Sequence, residues 1–187
     1  MNVPANITNG AFVDGEASAP VTIRVYSDYL CPVCQQFEAQ NAAQIAGWVA
    51  EGKVKMEYKP VAILDRLSTD EYPTRAASAS FVVADTTPSS WVAFHQLLFQ
   101  NQPAENGPGL TDYQLVDLAV QAGASEATVR EAIESQKFAG FATQQTEAAT
   151  SGPDKVTGTP TVMVNGELMK NWSAESLKAA VDKATGQ

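Results

Sequence analysis

Cys31-Pro32-Val33-Cys34 holds both cysteines of the chain. Two thiols at that spacing can close a disulfide on themselves and pass it to another pair of thiols, so the chemistry in question is thiol–disulfide exchange. The motif stands where strand-like residues, Val21 to Tyr26, give way to helix-like residues from Gln35 onward. Pro32 suits the first helical position, because the N–H it lacks would have no intrahelical partner there. Cys31 then sits at a helix N-terminus, where unpaired N–H groups and the helix dipole stabilise an anion. Its thiol is expected to titrate below the free value of about 8.5, in the roughly 3.5–7.5 range such sites show. Cys34, one turn on and facing inward, is expected to be less exposed and less acidic. Cys31 is thus the candidate exchanging sulfur, and Cys34 the candidate for resolving a mixed disulfide at high effective concentration. Pro32 stiffens the turn and removes a competing donor.

Other chemistries fit these residues less well. A buried pair of small apolar cysteines has no reason to meet at a helix start. Zinc would need four ligands, and the chain offers two cysteines, one histidine and no second CxxC, so no metal is expected. A structural staple closing so short a loop would remove little chain entropy. Acyl transfer would pair a cysteine with His95, but His95 shares a helical stretch with Trp91, Phe94 and Leu98 and reads as packing. Trp48, Trp91 and Trp172 read as core aromatics, and the acidic run from Asp65 to Glu71 as a helix entry rather than a metal site.

The elements that must position the dithiol follow from periodicity. A short strand is expected around Ala11-Phe12-Val13, before the turn Asp14-Gly15. Val21, Ile23 and Val25 alternate with Thr22, Arg24 and Tyr26, which predicts a strand leading into the motif. The helix from Pro32 buries Phe37, Ile45, Trp48 and Val49 and stops near Gly52. Val54, Met56 and Tyr58 make the next strand, parallel to the first because a helix joins them. From about Asp65 to Thr150 the pattern predicts four or five short helices. Ser68 with Glu71 and Thr111 with Gln114 read as capping boxes; Thr87-Pro88 and Ser125 read as further helix starts, and one more helix around Phe138 and Phe141 ends at Gly152-Pro153. A strand returns at Thr161-Val162-Met163-Val164, and Asn165-Gly166 is a strong hairpin signal. A last helix from about Ser173 buries Leu177 and Val181. The expected fold class is α/β, with residues 1–64 and 151–187 forming the core and 65–150 an all-helical insertion.

The formal net charge of −9 leaves no surplus of Lys and Arg to neutralise phosphates, so nucleic acid is not an expected partner. No run of about 18 apolar residues exists to span a membrane. Met1 to Gly10 has neither a basic start nor an apolar stretch, so no signal peptide is expected within this chain. Thr159-Pro160, at the start of the late strand, can adopt either peptide isomer.

The segments Ala19-Pro20-Val21-Thr22-Ile23, Tyr26-Ser27-Asp28-Tyr29, Cys31-Pro32-Val33-Cys34 and Phe37-Glu38 together resemble the DsbA-like branch of the thioredoxin superfamily. Gly158-Thr159-Pro160-Thr161-Val162 and Val164-Asn165-Gly166 resemble its second hallmark, and Trp91 to Phe99 its helical insertion. The resemblance runs from about Gly10 to Val181. It implies a thioredoxin fold with an inserted helical domain, and a cis Pro160 beside Cys31. It also implies that Thr159 offers its backbone to an incoming polypeptide as an added strand would. The implied activity is oxidation of protein thiols outside the bacterial cytoplasm, without a cofactor. Its implied partners are folding polypeptides with free cysteines and a membrane redox partner for re-oxidation. A reductase or isomerase would use the same residues, and a redox-silent chaperone module would leave them idle.

Two positions depart from the family's strong oxidant. Val33 stands where that protein has histidine, and Val cannot donate to the thiolate, so a less oxidising disulfide is expected. Val25 stands where it has an acidic residue, so the buried proton carrier is either missing or supplied by Asp28, Glu38 or Glu57, each of which also reads as a solvated surface charge.

Overall fold

The computed structural model describes residues 1–186. Six strands form one mixed sheet: β1 (Ile7–Thr8), β2 (Ala11–Asp14), β3 (Val21–Ser27), β4 (Val54–Pro60), β5 (Thr161–Val164) and β6 (Glu167–Leu168), in spatial order β1-β2-β4-β3-β5-β6. The alternation of β3 and β4 holds: Val21, Ile23 and Val25, and Val54 and Met56, are buried. These two strands pair in parallel, Val21 against Val54 through Ser27 against Pro60. β5 pairs antiparallel on the other side of β3, with Tyr26 opposite Thr161. The end of β3 and the start of β5 therefore lie side by side, and the residues that follow one and precede the other share one end of the sheet.

Helix α1 (Pro32–Ala50) connects β3 to β4. It buries Cys34, Phe37, Glu38, Asn41 and Ile45. Phe37 and Ile45 each contribute about 1.5–3 kcal/mol by leaving water. The helix ends at Gly52, whose φ of +70° takes the left-handed conformation that L side chains disfavour. After the last strand, α7 (Ala174–Thr185) starts at Ser173, whose hydroxyl accepts from the Ser176 N–H, and buries Leu177 and Val181.

Between β4 and β5 lie α2 (Tyr72–Thr86), α3 (Trp91–Gln100), α4 (Asp112–Gln121), α5 (Glu126–Glu134) and α6 (Ala139–Ser151). α2 is buried from Tyr72 to Ala84, and α3, α4, α5 and α6 pack around it. Small residues on α2 let four neighbours approach. Thr111 and Gln114 form the expected capping box, and Asn165 and Gly166 turn the β5–β6 hairpin with positive φ.

Three local expectations change. Ser68 and Glu71 do not form a capping box: Glu71 is the residue before α2 and is left-handed, with no cap bond from its side chain. The Ser68 hydroxyl instead accepts from the Tyr72 and Asp70 N–H groups, and Arg75 is drawn to Asp70 and Asp112. Buried charge pairing there outweighs the local sequence signal. Thr87-Pro88 opens a single 3-10 turn, Pro88–Ser90, ahead of α3. Strand β1 was without a periodic signal, being two residues long.

One apolar cluster runs from the sheet through α1 into α2, α3, α4 and α5, so the insertion and the sheet are packed on a common core. No helix among the described residues is long and apolar enough to cross a membrane.

Candidate active site

Cys31 occupies the position before the first residue of α1, with extended backbone (φ −75°, ψ 115°), and Pro32 is the first helical residue. The Cys31 N–H donates to Asp28 O at 3.0 Å, and the Gln35 N–H donates to Cys31 O at 3.2 Å. This turn aims the sulfur at the N–H groups of the first helical turn. Both cysteines are free thiols. Cys34 is fully buried, Cys31 is 5% exposed, and Val33 between them is 41% exposed.

The two sulfurs differ sharply in acidity. The Cys31 thiol is lowered to about 6, chiefly by a hydrogen bond from the Cys34 side chain. Burial opposes this; a side-chain contact with Thr159 and the N–H groups of Cys34 and Val33 add to it. Cys34 moves the other way: burial and its bond to Cys31 raise it well above the ordinary value. One thiol is thus held as an anion by donors, while its neighbour keeps a proton to donate.

Thr159 is brought to Cys31 by the sheet. The Cys31 thiol donates to Thr159 O at 3.3 Å. The Thr159–Pro160 peptide bond is cis. The loop carrying these residues is fixed from below: Arg24 on β3 bridges Glu57 and Asp154, each at 2.8 Å, and Tyr26 donates to Asp154 at 2.6 Å.

Of the three carboxylates considered as proton carriers, one lies beside the thiols. Asp28 is fully buried. Its oxygens accept from the N–H groups of Leu30 and Leu64, both at 2.9 Å. Burial nevertheless raises its pKa to about 7, helped by the nearby negative charges of Cys31 and Asp65. Glu57 is committed to Arg24 on the outer face. Glu38 accepts from, or pairs with, His95 Nε2 at 3.0 Å, and His95 Nδ1 meets the Tyr29 hydroxyl at 3.0 Å. His95 also stacks on Trp91, with ring centroids 4.9 Å apart. The packing role expected of His95 is what the geometry displays, with both ring nitrogens occupied inside the protein.

Sequence reasoning did not single out Gln102, whose side-chain Nε2 donates to Tyr29 O and Cys31 O, both at 3.0 Å. A lone glutamine in a Pro/Gly loop 71 residues downstream carries no local signal of such a contact. A groove of about 470 Å³ runs between α1 and α3, lined by Gln35, Glu38, Ala42, Gln96 and Phe99; the two thiols do not line it. No group of three or more potential metal ligands occurs among the described residues.

A parallel β–α–β unit, an antiparallel hairpin and a helix, with a dithiol at the first helix start facing a Thr-Pro loop, define a thioredoxin-fold protein. The chain belongs to the thioredoxin family: the family model described as Thioredoxin matches residues 8–183. The structure of oxidised DsbA from Mycobacterium tuberculosis superposes with a TM-score of 0.82 at 31% identity, over 95% of this chain and 93% of that one. Disulfide bond formation protein D of Bacillus subtilis is 28% identical over 177 residues, 93% of this chain and 77% of that protein. The serine/threonine-protein kinase PknE of M. tuberculosis is 33% identical over 179 residues, which cover 91% of this chain. The chain spans 31% of that kinase's length.

Proposed function

We propose that this chain is a thiol–disulfide oxidoreductase that oxidises cysteines of other polypeptides. The observation that carries the reading is the opposed acidity of Cys31 and Cys34 at the start of α1. The likeness to DsbA and to disulfide bond formation protein D supports the direction. In the oxidised enzyme a substrate thiolate attacks Cys31 Sγ. The Cys31–Cys34 bond breaks, a substrate–Cys31 disulfide forms, and Cys34 leaves as a thiolate. Its high pKa makes it take a proton at once, and Asp28, half-protonated near pH 7, supplies it. A second substrate thiolate then attacks the substrate sulfur of the mixed disulfide, releasing Cys31 as a thiolate. Two electrons pass from substrate to enzyme, and the substrate leaves with a new disulfide.

Cys31 and Cys34 are therefore assigned the reaction, Pro32 and Val33 its tuning, and Thr159 and Pro160 the docking of the substrate backbone. The reacting sulfur lies beyond the end of β3, against Thr159 O and outside the α1–α3 groove, which suits a polypeptide docking on the Thr159 backbone better than a small molecule. The same reading places the protein outside the cytoplasm, with a membrane partner to reoxidise it. It divides the chain into a thioredoxin-like domain (1–64 and 151–187) and a helical domain (65–150).

Val33 favours a second direction. Its side chain supplies no donor to the thiolate beyond the backbone N–H, and a Cys31 pKa of about 6 lies closer to the reductase value of about 7 than to about 3.5 for the strongest oxidant. Two measurements test the function. Cys34→Ser should trap substrate polypeptides on Cys31 as mixed disulfides, and failure to capture any would sink the exchange reading. The reduction potential of the pair against glutathione then sets the direction: a value well above the glutathione pool supports oxidation, and one near thioredoxin's overturns it in favour of reduction.

A further inference from the structure

The carbonyls of Cys31 and Phe99 are joined by a reciprocal exchange between two glutamines. Cys31 O accepts from the Gln35 N–H at 3.2 Å and from Gln102 Nε2 at 3.0 Å. Phe99 O accepts from the Gln102 N–H at 3.3 Å and from Gln35 Nε2 at 2.7 Å. Each glutamine bonds one carbonyl through its own backbone and the other through its side chain. The result is a closed ring of four hydrogen bonds between the start of α1 and the end of α3. Gln102 adds a fifth, to Tyr29 O at 3.0 Å, so its amide spans the two carbonyls on either side of Leu30.

The loop that carries Gln102 is itself fixed. The Asn106 N–H donates to Leu67 O at 2.7 Å and the Thr69 N–H to Gly107 O at 3.1 Å. The Gly109 N–H donates to Asp70, and buried Arg75 holds Asp70, Asp112 and Leu110 O together. A Cβ at Gly109 would lie 2.2 Å from the Tyr72 ring, so the loop is packed directly on α2. Gln102 is thus presented to the CxxC turn by a rigid part of the insertion.

We infer that Gln102 is a positioning residue for the dithiol, through which the helical insertion sets the acidity of Cys31. The inference rests on the redox reading above and adds a residue to it. The argument is electrostatic and geometric. The Cys31 carbonyl carries partial negative charge close to the Cys31 sulfur, and an amide donor on that oxygen offsets it. Fixing the Tyr29 and Cys31 carbonyls also fixes the turn that aims Sγ at the N–H groups of Val33 and Cys34. Loss of the amide lets the turn relax and leaves the carbonyl charge unopposed. Both effects disfavour the thiolate, and a less stable thiolate makes the disulfide a weaker oxidant.

The test is the Cys31 thiol pKa in the reduced full chain, read from the pH dependence of iodoacetamide alkylation, beside the reduction potential of the pair. Gln102→Ala should raise the pKa by about half a unit, cutting the thiolate fraction near pH 6 roughly twofold. Gln102→Glu, the same size but with a carboxylate against two carbonyls, should raise it further. Gln35→Ala leaves both Gln102 donors on Tyr29 and Cys31 and should shift it by less than Gln102→Ala does. The potentials should fall in the same order. A Gln102→Ala protein that titrates with the parent overturns the inference, as does a Gln35→Ala shift of equal size, which would mean a loosened junction rather than a specific donor. Should Gln102→Ala not fold, Gln102→Asn, one methylene too short to reach both carbonyls, carries the same expectation. If the parent itself titrates near 8.5, the redox reading fails; if the parent is acidic and the variants match it, only the role of Gln102 falls.

Discussion

Two buried polar clusters flank the first turns of α1, and they are built on opposite plans. Asp28, Cys31 and Cys34 make up one; Tyr29, His95 and Glu38 make up the other. In the second cluster each side chain finds a partner: Tyr29 meets His95, and His95 meets Glu38, both at 3.0 Å. Tyr58, Trp91 and Phe99 wall it in, and no step of the proposed reaction passes through it. In the first cluster the bonds are unbalanced. Asp28 accepts only from neutral N–H groups and faces the Cys31 sulfur, so its charge is opposed rather than paired. Cys31 is stabilised as an anion at the expense of Cys34. The contrast teaches that burial alone does not make a reactive site. A closed network locks structure, whereas a charge left without a counter-charge is free to move with the reaction.

The sharpest way to break this comparison is to remove one member from each cluster. Cys31→Ser should abolish disulfide exchange while the protein remains folded. His95→Ala should do the reverse: it leaves Glu38 buried without a partner and costs about 3–5 kcal/mol of stability, with exchange per folded molecule retained. Denaturant unfolding alongside a turnover assay measures both, and loss of exchange in a folded His95→Ala protein would erase the distinction between the clusters.

Asp28→Asn should slow the protonation of the departing Cys34 by about a hundredfold or more. The rate should also lose the inflection near pH 7 that Asp28 contributes. Stopped-flow kinetics across pH would show it, and an unchanged profile would assign the proton to another source. A smaller effect is expected from Val33→His. An imidazole beside the thiolate should lower the Cys31 pKa by about one unit and raise the reduction potential; titration of the thiolate checks the first and glutathione equilibration the second.

A last effect is on stability against pH, and its sign differs between the groups. For Cys31 the folded value of about 6 lies below the ordinary thiol value of 9.0. The thiolate therefore contributes stability to the reduced protein that is fully present above pH 9 and lost as pH falls through 6. For Asp28 the folded value of about 7 lies above the ordinary carboxylate value of 3.8, so its contribution is present below pH 3.8 and lost as pH rises through 7. Thermal unfolding of the reduced protein should show the rise from pH 6 to 9, and Cys31→Ser should flatten it. A Cys31→Ser profile parallel to the parent would contradict the acidity assigned to Cys31.

Much of the fold was legible because its signals are local. Alternation marked β3 and β4, Pro32 and Gly52 bounded α1, Thr111 with Gln114 capped α4, and Asn165-Gly166 turned the hairpin. Ser68 and Glu71 misled, because the entry to α2 is decided by Arg75, Asp70 and Asp112, which are brought together only when the loop before α4 folds back. The candidate site divides in the same way. Its two sulfurs, their order of acidity and their place at a helix start follow from four consecutive residues, since the field at a helix N-terminus is set by the backbone itself.

Which carboxylate joins them did not follow. Asp28, Glu38 and Glu57 are equivalent on paper. Parallel pairing of β3 with β4 sends Glu57 outward to Arg24, helix α3 supplies His95 to Glu38, and the Leu64 N–H closes over Asp28. Gln102 is further still from any sequence rule. The sequence by itself determined that Cys31-Pro32-Val33-Cys34 is a dithiol at a helix start, because that depends on neighbours along the chain. Only the tertiary structure decided the surroundings that set its acidity, because burial, unpaired charge and the Gln102 bonds arise between residues that meet in space and not in order.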